Sequence, residues 1–326
     1  MSDAPPRPRP GSPGWRPDSP RRRPRSPTRR PGRVAGAAIR GLIRLLSWLP
    51  LSVARALPAW LADLAWPLGH SARAVTEANL EHCRADLTAP ERAQLGREAA
   101  RQTAMLFAEQ GTVWHWPRAR WDALIDAGDS RKRLDECGAS ERGTLMLVPH
   151  LGNWELFSLY LGAWGITALY DPPRLMSLDA PIRAARERNG ATLLPIDRQG
   201  LKGMLQALAD GGLVALLPDQ VPAPTAGVYA PFFGQPALTM TLAHRLITRS
   251  QPRVLIGALV RDGTDRHARF RVLLEEAPAA ITAREPEVSA GAMNEALERM
   301  IRRYPEQYQW SYKRFKRPPP GQPKLY

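Results

Sequence analysis

The sequence predicts an α/β domain: a single layered unit with a mostly parallel central sheet flanked by helices, preceded by an N-terminal helical segment that associates with a membrane. Three observations carry this. From residue 143 onward, short uninterrupted apolar runs such as Leu145-Met146-Leu147-Val148 alternate with longer amphipathic stretches. Such runs suit strands buried on both faces, and strand–helix alternation suits a parallel sheet. The chain has 326 residues of which 44% are hydrophobic, enough to enclose a core. Ahead of the alternating region, 34–66 is the most apolar long stretch.

The elements follow in order. Within 34–66, Arg40, Arg44, Arg55 and Asp63 interrupt the apolar pattern, and the longest uncharged run, 45–54, is ten residues. A spanning helix needs about 20. A secretory signal is also not expected, because the charged region before the apolar run is too long. At a helical period, Arg33, Arg40 and Arg44 share a narrow arc on an otherwise apolar helix that Pro50 breaks, with Trp48, Trp60 and Trp66 following. Two readings fit: a segment lying in a membrane interface, or a helix packed on the domain with its arginines reaching out to water.

Further on, Thr88-Ala89-Pro90-Glu91 is a capping box that opens a helix to about Gln110, with Gly111 as its stop. Strands are expected at 145–148, 167–170, 192–196, 213–217 and 254–260. The alternating run 269–274 is a candidate partner for the last of these. Helices are expected at 153–163, 180–188, 201–209, 239–249 and 292–304, several closed by a glycine such as Gly190 or Gly211. The predicted division is a 1–33 tail, a 34–66 membrane-associating segment and a 67–326 catalytic domain.

Net charge is +15, which by itself suggests a polyanion-binding protein. Residues 1–33 hold ten arginines, ten prolines and two aspartates, accounting for +8, and 313–326 account for +5, leaving +2 for the body. A segment that rich in Arg and Pro cannot bury enough surface to order itself. A nucleic-acid groove needs its cations on a folded surface among stacking aromatics, so nucleic acid is not expected as a partner. An anionic membrane surface is. Two cysteines without a CxxC pair exclude a disulfide scaffold and a cysteine-built zinc site, and no metal or cofactor is expected.

Among six histidines, only His150 has a neighbourhood that suggests chemistry: it follows a buried strand directly, where α/β sheets place their sites. If Asn153 caps the next helix and Gly152 allows a tight return, Glu155 in the first turn comes within reach of the imidazole. A carboxylate there would fix the tautomer and leave the other nitrogen as a general base. No Ser or Cys nucleophile adjoins it, so the base would activate an external hydroxyl. Taken alone, His-x4-Glu arises often by chance and reads first as a satisfied structural histidine.

The longer string Pro149-His150-Leu151-Gly152-Asn153-Trp154-Glu155 resembles the catalytic block of the bacterial lipid A late acyltransferases (lauroyl/myristoyl acyltransferases), within the lysophospholipid acyltransferase superfamily with its His-x4-Asp/Glu dyad. Four more blocks match in order, at 195–204, 217–222, 229–239 and 305–316, so the resemblance covers about 40–320. It implies transfer of an acyl chain from acyl carrier protein to a hydroxyl of a membrane glycolipid, a lipid A precursor, at the cytoplasmic face of the inner membrane. Another glycolipid, an aminolipid or a lysophospholipid is the alternative acceptor.

The resemblance also implies site roles. His150 would be the base and Glu155 its partner. Arg198 would meet an anionic group of acceptor or carrier, or else pair on the surface near Asp197. Asp219 and Gln220 would shape the substrate site, and Asn153 would serve there or as a cap. Trp154, Phe232 and Phe233 would line an acyl groove, unless they are core. One departure stands out: Tyr170-Asp171-Pro172 puts an acid where the family usually has an arginine, with Arg174 close by.

Overall fold

The computed structural model describes residues 30–138, 142–262 and 269–326. The proposed tail therefore lies, for 1–29, outside the described residues. Two N-terminal helices, α1 (Arg30–Leu46) and α2 (Leu51–Ala65), are separated where Pro50 stops the first. They lie against a long helix α4 (Ala89–His115), with α3 (Ser71–Cys83) between them in sequence. The capping box forms: Thr88 and Glu91 exchange side-chain-to-backbone hydrogen bonds at the start of α4.

Gly111 does not end α4, which runs one further turn. It is a contact point instead. A Cβ there would lie 2.9 Å from the Ser47 nitrogen and 3.0 Å from the Ile43 carbonyl oxygen, so glycine lets α1 approach the α4 backbone. Periodicity cannot distinguish a stop from a close crossing.

Short elements α5 (Arg118–Asp122), β1 (Ile125–Asp126) and α6 (Ser130–Gly138) lead into the alternating region. There follow β2 (Thr144–Leu147), α7 (Trp154–Leu161), β3 (Thr167–Tyr170), α8 (Asp179–Glu187), β4 (Thr192–Pro195), α9 (Arg198–Ala209) and β5 (Leu213–Leu216). The expected strands recur within a residue or so at each end. Past β5 the chain makes a hairpin, β6 (Gly227–Phe232) and β7 (Gln235–Met240), then α10 (Leu242–Ser250), β8 (Arg253–Asp262), β9 (Arg269–Glu276) and α11 (Pro286–Arg303).

The hairpin corrects the sequence reading, which began a helix at 239. Thr239 and Met240 are in β7, and the two-residue turn is Phe233-Gly234, both at positive φ (51° and 74°), as a type I′ turn requires. A phenylalanine in that position is an uncommon turn residue, which hid the hairpin. The last helix also begins six residues earlier than its apolar periodicity suggested, with Pro286 at its first position.

The seven-stranded sheet has the order β1-β9-β8-β2-β5-β3-β4. All neighbouring pairs are parallel except β8 and β9, which run antiparallel through eight paired positions, the partnership expected for 269–274. The central strands β2, β5 and β8 are apolar and buried on both faces, one core lying on each side. Because β2 and β5 are adjacent and parallel, in the register Leu147 opposite Leu216, their following loops emerge side by side. Brought together there are His150 and Asp219.

Candidate active site

The loop after β2 is clamped from two sides. Gly152 N donates to the Gln307 carbonyl (3.0 Å), Asn153 N to Leu259 O (2.8 Å), and Gln309 N to His150 O (3.1 Å). Gly152 has φ +63°, and a Cβ there would come 2.1 Å from Leu259 O, so only glycine fits this return. Asn153 caps α7, its Oδ1 accepting from Leu156 N at 2.8 Å. Trp154 sets its ring edge against the His150 imidazole, with centroids 5.0 Å apart.

The carboxylate on His150 is that of Asp219. Its Oδ1 lies 2.7 Å from Nδ1, and its Oδ2 accepts the His150 backbone N–H at 2.8 Å. An ionised carboxylate only accepts, so the proton sits on Nδ1 and Nε2 is left as the basic nitrogen. The Gln220 amide lies 3.0 Å from Nε2. Asp219 is 2% exposed, while the His150 side chain retains 12%. Burial pushes the Asp219 carboxyl up, but the imidazole charge, the two His150 hydrogen bonds and Arg314 more than offset this and hold it below its ordinary value. Arg314 is itself buried, fixed by Leu238 O and Thr239 Oγ1. Tyr308, also beside Asp219, has its phenol pushed well up by burial and by that negative charge.

Glu155 does not meet the imidazole. It stands in the first turn of α7 as expected, yet its two oxygens are taken by Arg186 of α8, Nε at 2.9 Å and Nη2 at 2.5 Å. The physical reason lies in the turn: Gly152 and Asn153 redirect the chain so that Trp154, one residue earlier, covers His150, and Glu155 faces the neighbouring helix. Arg186 remains cationic beyond the ordinary arginine range, because Glu155 and Tyr170 outweigh its burial.

The other expected residues divide sharply. Gln220 joins His150. Asn153 is fully buried; its amide donates to Glu109 Oε2 at 2.8 Å, so it is a structural cap and not a substrate contact. Asp219 too is shielded, and its carboxylate contacts His150. Arg198 opens α9 at the carboxyl end of β4, on the same sheet edge as His150 but three strands away, roughly 14 Å at ordinary spacing. It is exposed, and it is not drawn into a pair near Asp197, which instead caps α9 through Gln199 N and Gly200 N. Phe232 and Phe233 are buried among Tyr308, Trp310 and Phe315, packing the core rather than lining a groove.

Sequence reasoning missed Glu109. This fully buried carboxylate of α4 receives Arg55 Nε (2.6 Å), Arg261 Nε (2.9 Å) and Nη2 (2.7 Å), and the Asn153 amide. It ties α2 and β8 to the cap that follows His150. No local signal marks it, since an acid inside an amphipathic helix normally reads as solvated. Trp310 and Ser311, next to the residue that braces His150 O, also wall an apolar cavity of about 200 Å³ with Ala62, Trp66, Ala99 and Phe107.

A histidine oriented by a buried acid, its Nε2 accepting from the half-exposed Gln220 amide, can take a proton from a hydroxyl that displaces that amide and return it to a leaving group. The sequence model of a family described as "Bacterial lipid A biosynthesis acyltransferase" matches residues 26–317. The chain is 28% identical over 291 residues to "Lipid A biosynthesis lauroyltransferase" of Escherichia coli K12, covering 88% of this chain and 92% of that protein. It is 27% identical over 288 residues to the palmitoleoyltransferase of the same organism, with the same coverage. A Haemophilus influenzae lipid A biosynthesis acyltransferase is 29% identical over 268 residues, 79% of this chain and 82% of that one. On this match through nearly its whole described length, the chain belongs to the bacterial lipid A biosynthesis acyltransferase family and is an acyltransferase.

Proposed function

We propose that the protein moves a fatty acyl chain from acyl carrier protein to a hydroxyl of a lipid A precursor, with His150 as general base, at the cytoplasmic face of the inner membrane. The observation that carries the reading is the His150–Asp219 pair with Nε2 turned toward Gln220. Nε2 takes the proton of the acceptor hydroxyl, and the oxygen attacks the thioester carbonyl. The tetrahedral intermediate collapses, breaking the C–S bond, and the imidazolium proton passes to the departing thiolate. Asp219 stays ionised throughout and stabilises the imidazolium. The Gln220 amide supplies an N–H donor to the oxygen on which charge develops. In this reading Glu155, held by Arg186, contributes a fixed ion pair beside the site, and exposed Arg198 meets an anionic part of acceptor or carrier.

The membrane assignment is supported by an apolar outer face. Val34, Leu42, Leu45 and Trp48 of the α1 region, and Leu57, Trp60, Leu61 and Leu64 of α2, are each 48–71% exposed. Large apolar side chains left exposed in such number on one segment suit an interaction surface, here proposed to be a membrane. Among the described residues no helix is long and apolar enough to cross a bilayer. The inner side of α1 packs on the body through Ile43 and through Arg40, which donates to Ser177 O. The segment packs on the domain on one side, and in this reading its exposed apolar side lies in the membrane interface. The cavity beside Trp310 offers the hydrocarbon chain an apolar seat.

The test is transfer by the purified full chain from an acyl-carrier thioester to a lipid A precursor, with the product weighed by mass spectrometry. An added acyl mass on the precursor, lost in His150→Ala, is the expected result. Unchanged lipid A both in this assay and in a deletion strain would remove lipid A as the acceptor and point to a different lipid.

A further inference from the structure

The C-terminal segment folds back over the β6–β7 hairpin and leaves a groove of about 470 Å³, lined by Pro224, Gly227 and Tyr229 and by the cations Lys316, Arg317 and Lys324. The segment is anchored there, Tyr229 donating its hydroxyl to Pro318 O at 2.8 Å. Three cations thus share one concavity, and among the described residues none of them is paired with a carboxylate. Lys316 Nζ donates one hydrogen bond to the Tyr312 hydroxyl (3.1 Å) and lies 5.0 Å from that ring's centre, which fixes the ammonium while leaving its other donors unused. Converging like charges repel, and an anion in the groove would relieve that repulsion.

The groove is connected to the reaction centre. The Tyr312 hydroxyl that accepts from Lys316 also accepts from Val221 N at 3.0 Å, and Val221 follows Gln220, whose amide is at His150 Nε2. The chain from Gln220 to Pro224 therefore leads from the basic nitrogen into the groove wall. Two ammonium groups and a guanidinium fork match a tetrahedral oxyanion better than a planar carboxylate, because they offer many donors from several directions.

We propose that this groove binds a phosphate group on the headgroup of the acceptor lipid, so that the acceptor's hydroxyl is presented to His150. This rests on the reading of His150 as the base of transfer to a lipid hydroxyl. We assign the phosphate to the acceptor rather than to the carrier or to bulk lipid because the groove wall is reached along the chain from Gln220, whose amide lies at His150 Nε2.

The experiment uses the full chain in detergent micelles with a phosphorylated acceptor glycolipid and the same glycolipid dephosphorylated. Binding of each is measured by calorimetry without donor, and turnover is measured separately. The wild type should bind the phosphorylated form about tenfold or more tightly. The triple variant Lys316→Ala, Arg317→Ala, Lys324→Ala should bind both forms alike, with its loss in turnover appearing in the acceptor KM and not in kcat. Inorganic phosphate should compete with acceptor and not with donor. Lys324→Glu alone, at an exposed position, keeps the test available if the triple variant folds poorly. Equal binding of the two acceptors by the wild type would overturn the proposal. So would competition of phosphate against the carrier thioester, or a variant whose only defect is binding to vesicles of anionic phospholipid. Absence of turnover with intact discrimination in binding would instead count against the acyl-transfer reading.

Discussion

Both carboxylate oxygens of Asp219 are engaged by a single residue, His150, one through Nδ1 at 2.7 Å and the other through the backbone N–H at 2.8 Å. The double contact fixes the position of the residue and the orientation of its ring at once. Asp219→Asn would offer Nδ1 an N–H or a weaker acceptor, and so disturb the tautomer. The expected outcome is a kcat reduced by about 10²–10⁴, with little change in acceptor KM, read by steady-state kinetics.

Glu155 is the residue for which motif and geometry differ most. Since its oxygens are on Arg186, Glu155→Gln should leave the His150–Asp219 pair in place and cost at least tenfold less in kcat than Asp219→Asn. Arg186→Gln should resemble Glu155→Gln, because each unpairs the other. A Glu155→Gln loss equal to that of Asp219→Asn would make Glu155 the working partner of the imidazole.

Glu109→Gln removes the charge that satisfies Arg55 and Arg261 in a fully buried setting. Breaking such a network from one side leaves an uncompensated cation, so a loss of about 3–5 kcal/mol is expected in chemical denaturation. Asn153→Ala should be milder, about 1 kcal/mol for the lost cap, plus the unmet Glu109 oxygen.

Gly152→Ala meets both a left-handed φ and the Leu259 carbonyl oxygen. The loop carrying His150 must shift to accommodate the methyl group. Stability should fall by about 2 kcal/mol or more, and activity should fall further than stability alone explains. Comparing specific activity of the folded fraction with that of wild type checks this.

Stability should decline in acid, and the sign follows from two groups. Asp219 and Glu109 are both held below their ordinary values in the fold: burial raises each, while His150 with Arg314, and Arg261 with Arg55, more than offset it. A depressed folded value contributes stability that is fully present above the unfolded value, about 4 for a carboxyl group, and is lost as pH falls through the folded one. Thermal unfolding followed from pH 6 to pH 3 should show the loss beginning near pH 4. In Glu109→Gln part of that dependence should be gone.

The sequence alone determined much of the framework. Strand–helix alternation from 143 located β2, β3, β4, β5 and β8 because strands buried on both faces must be uniformly apolar, and the Thr88 and Asn153 caps were legible because capping is a local contest for unpaired N–H groups. His150 stood out by following a strand, and the ordered blocks around it identified the family. Local pattern could not show that Phe233-Gly234 turns a hairpin, that Gly111 is a crossing, or that Glu109 is buried. Nor could it choose between two acids for one imidazole. Glu155 is five residues from His150 and Asp219 is sixty-nine, but adjacency of β2 and β5 in a parallel sheet brings the distant one into contact, while the turn at Gly152 directs the near one to Arg186. Strand order is decided by packing of the whole chain, and so, at this site, is the partner of the imidazole.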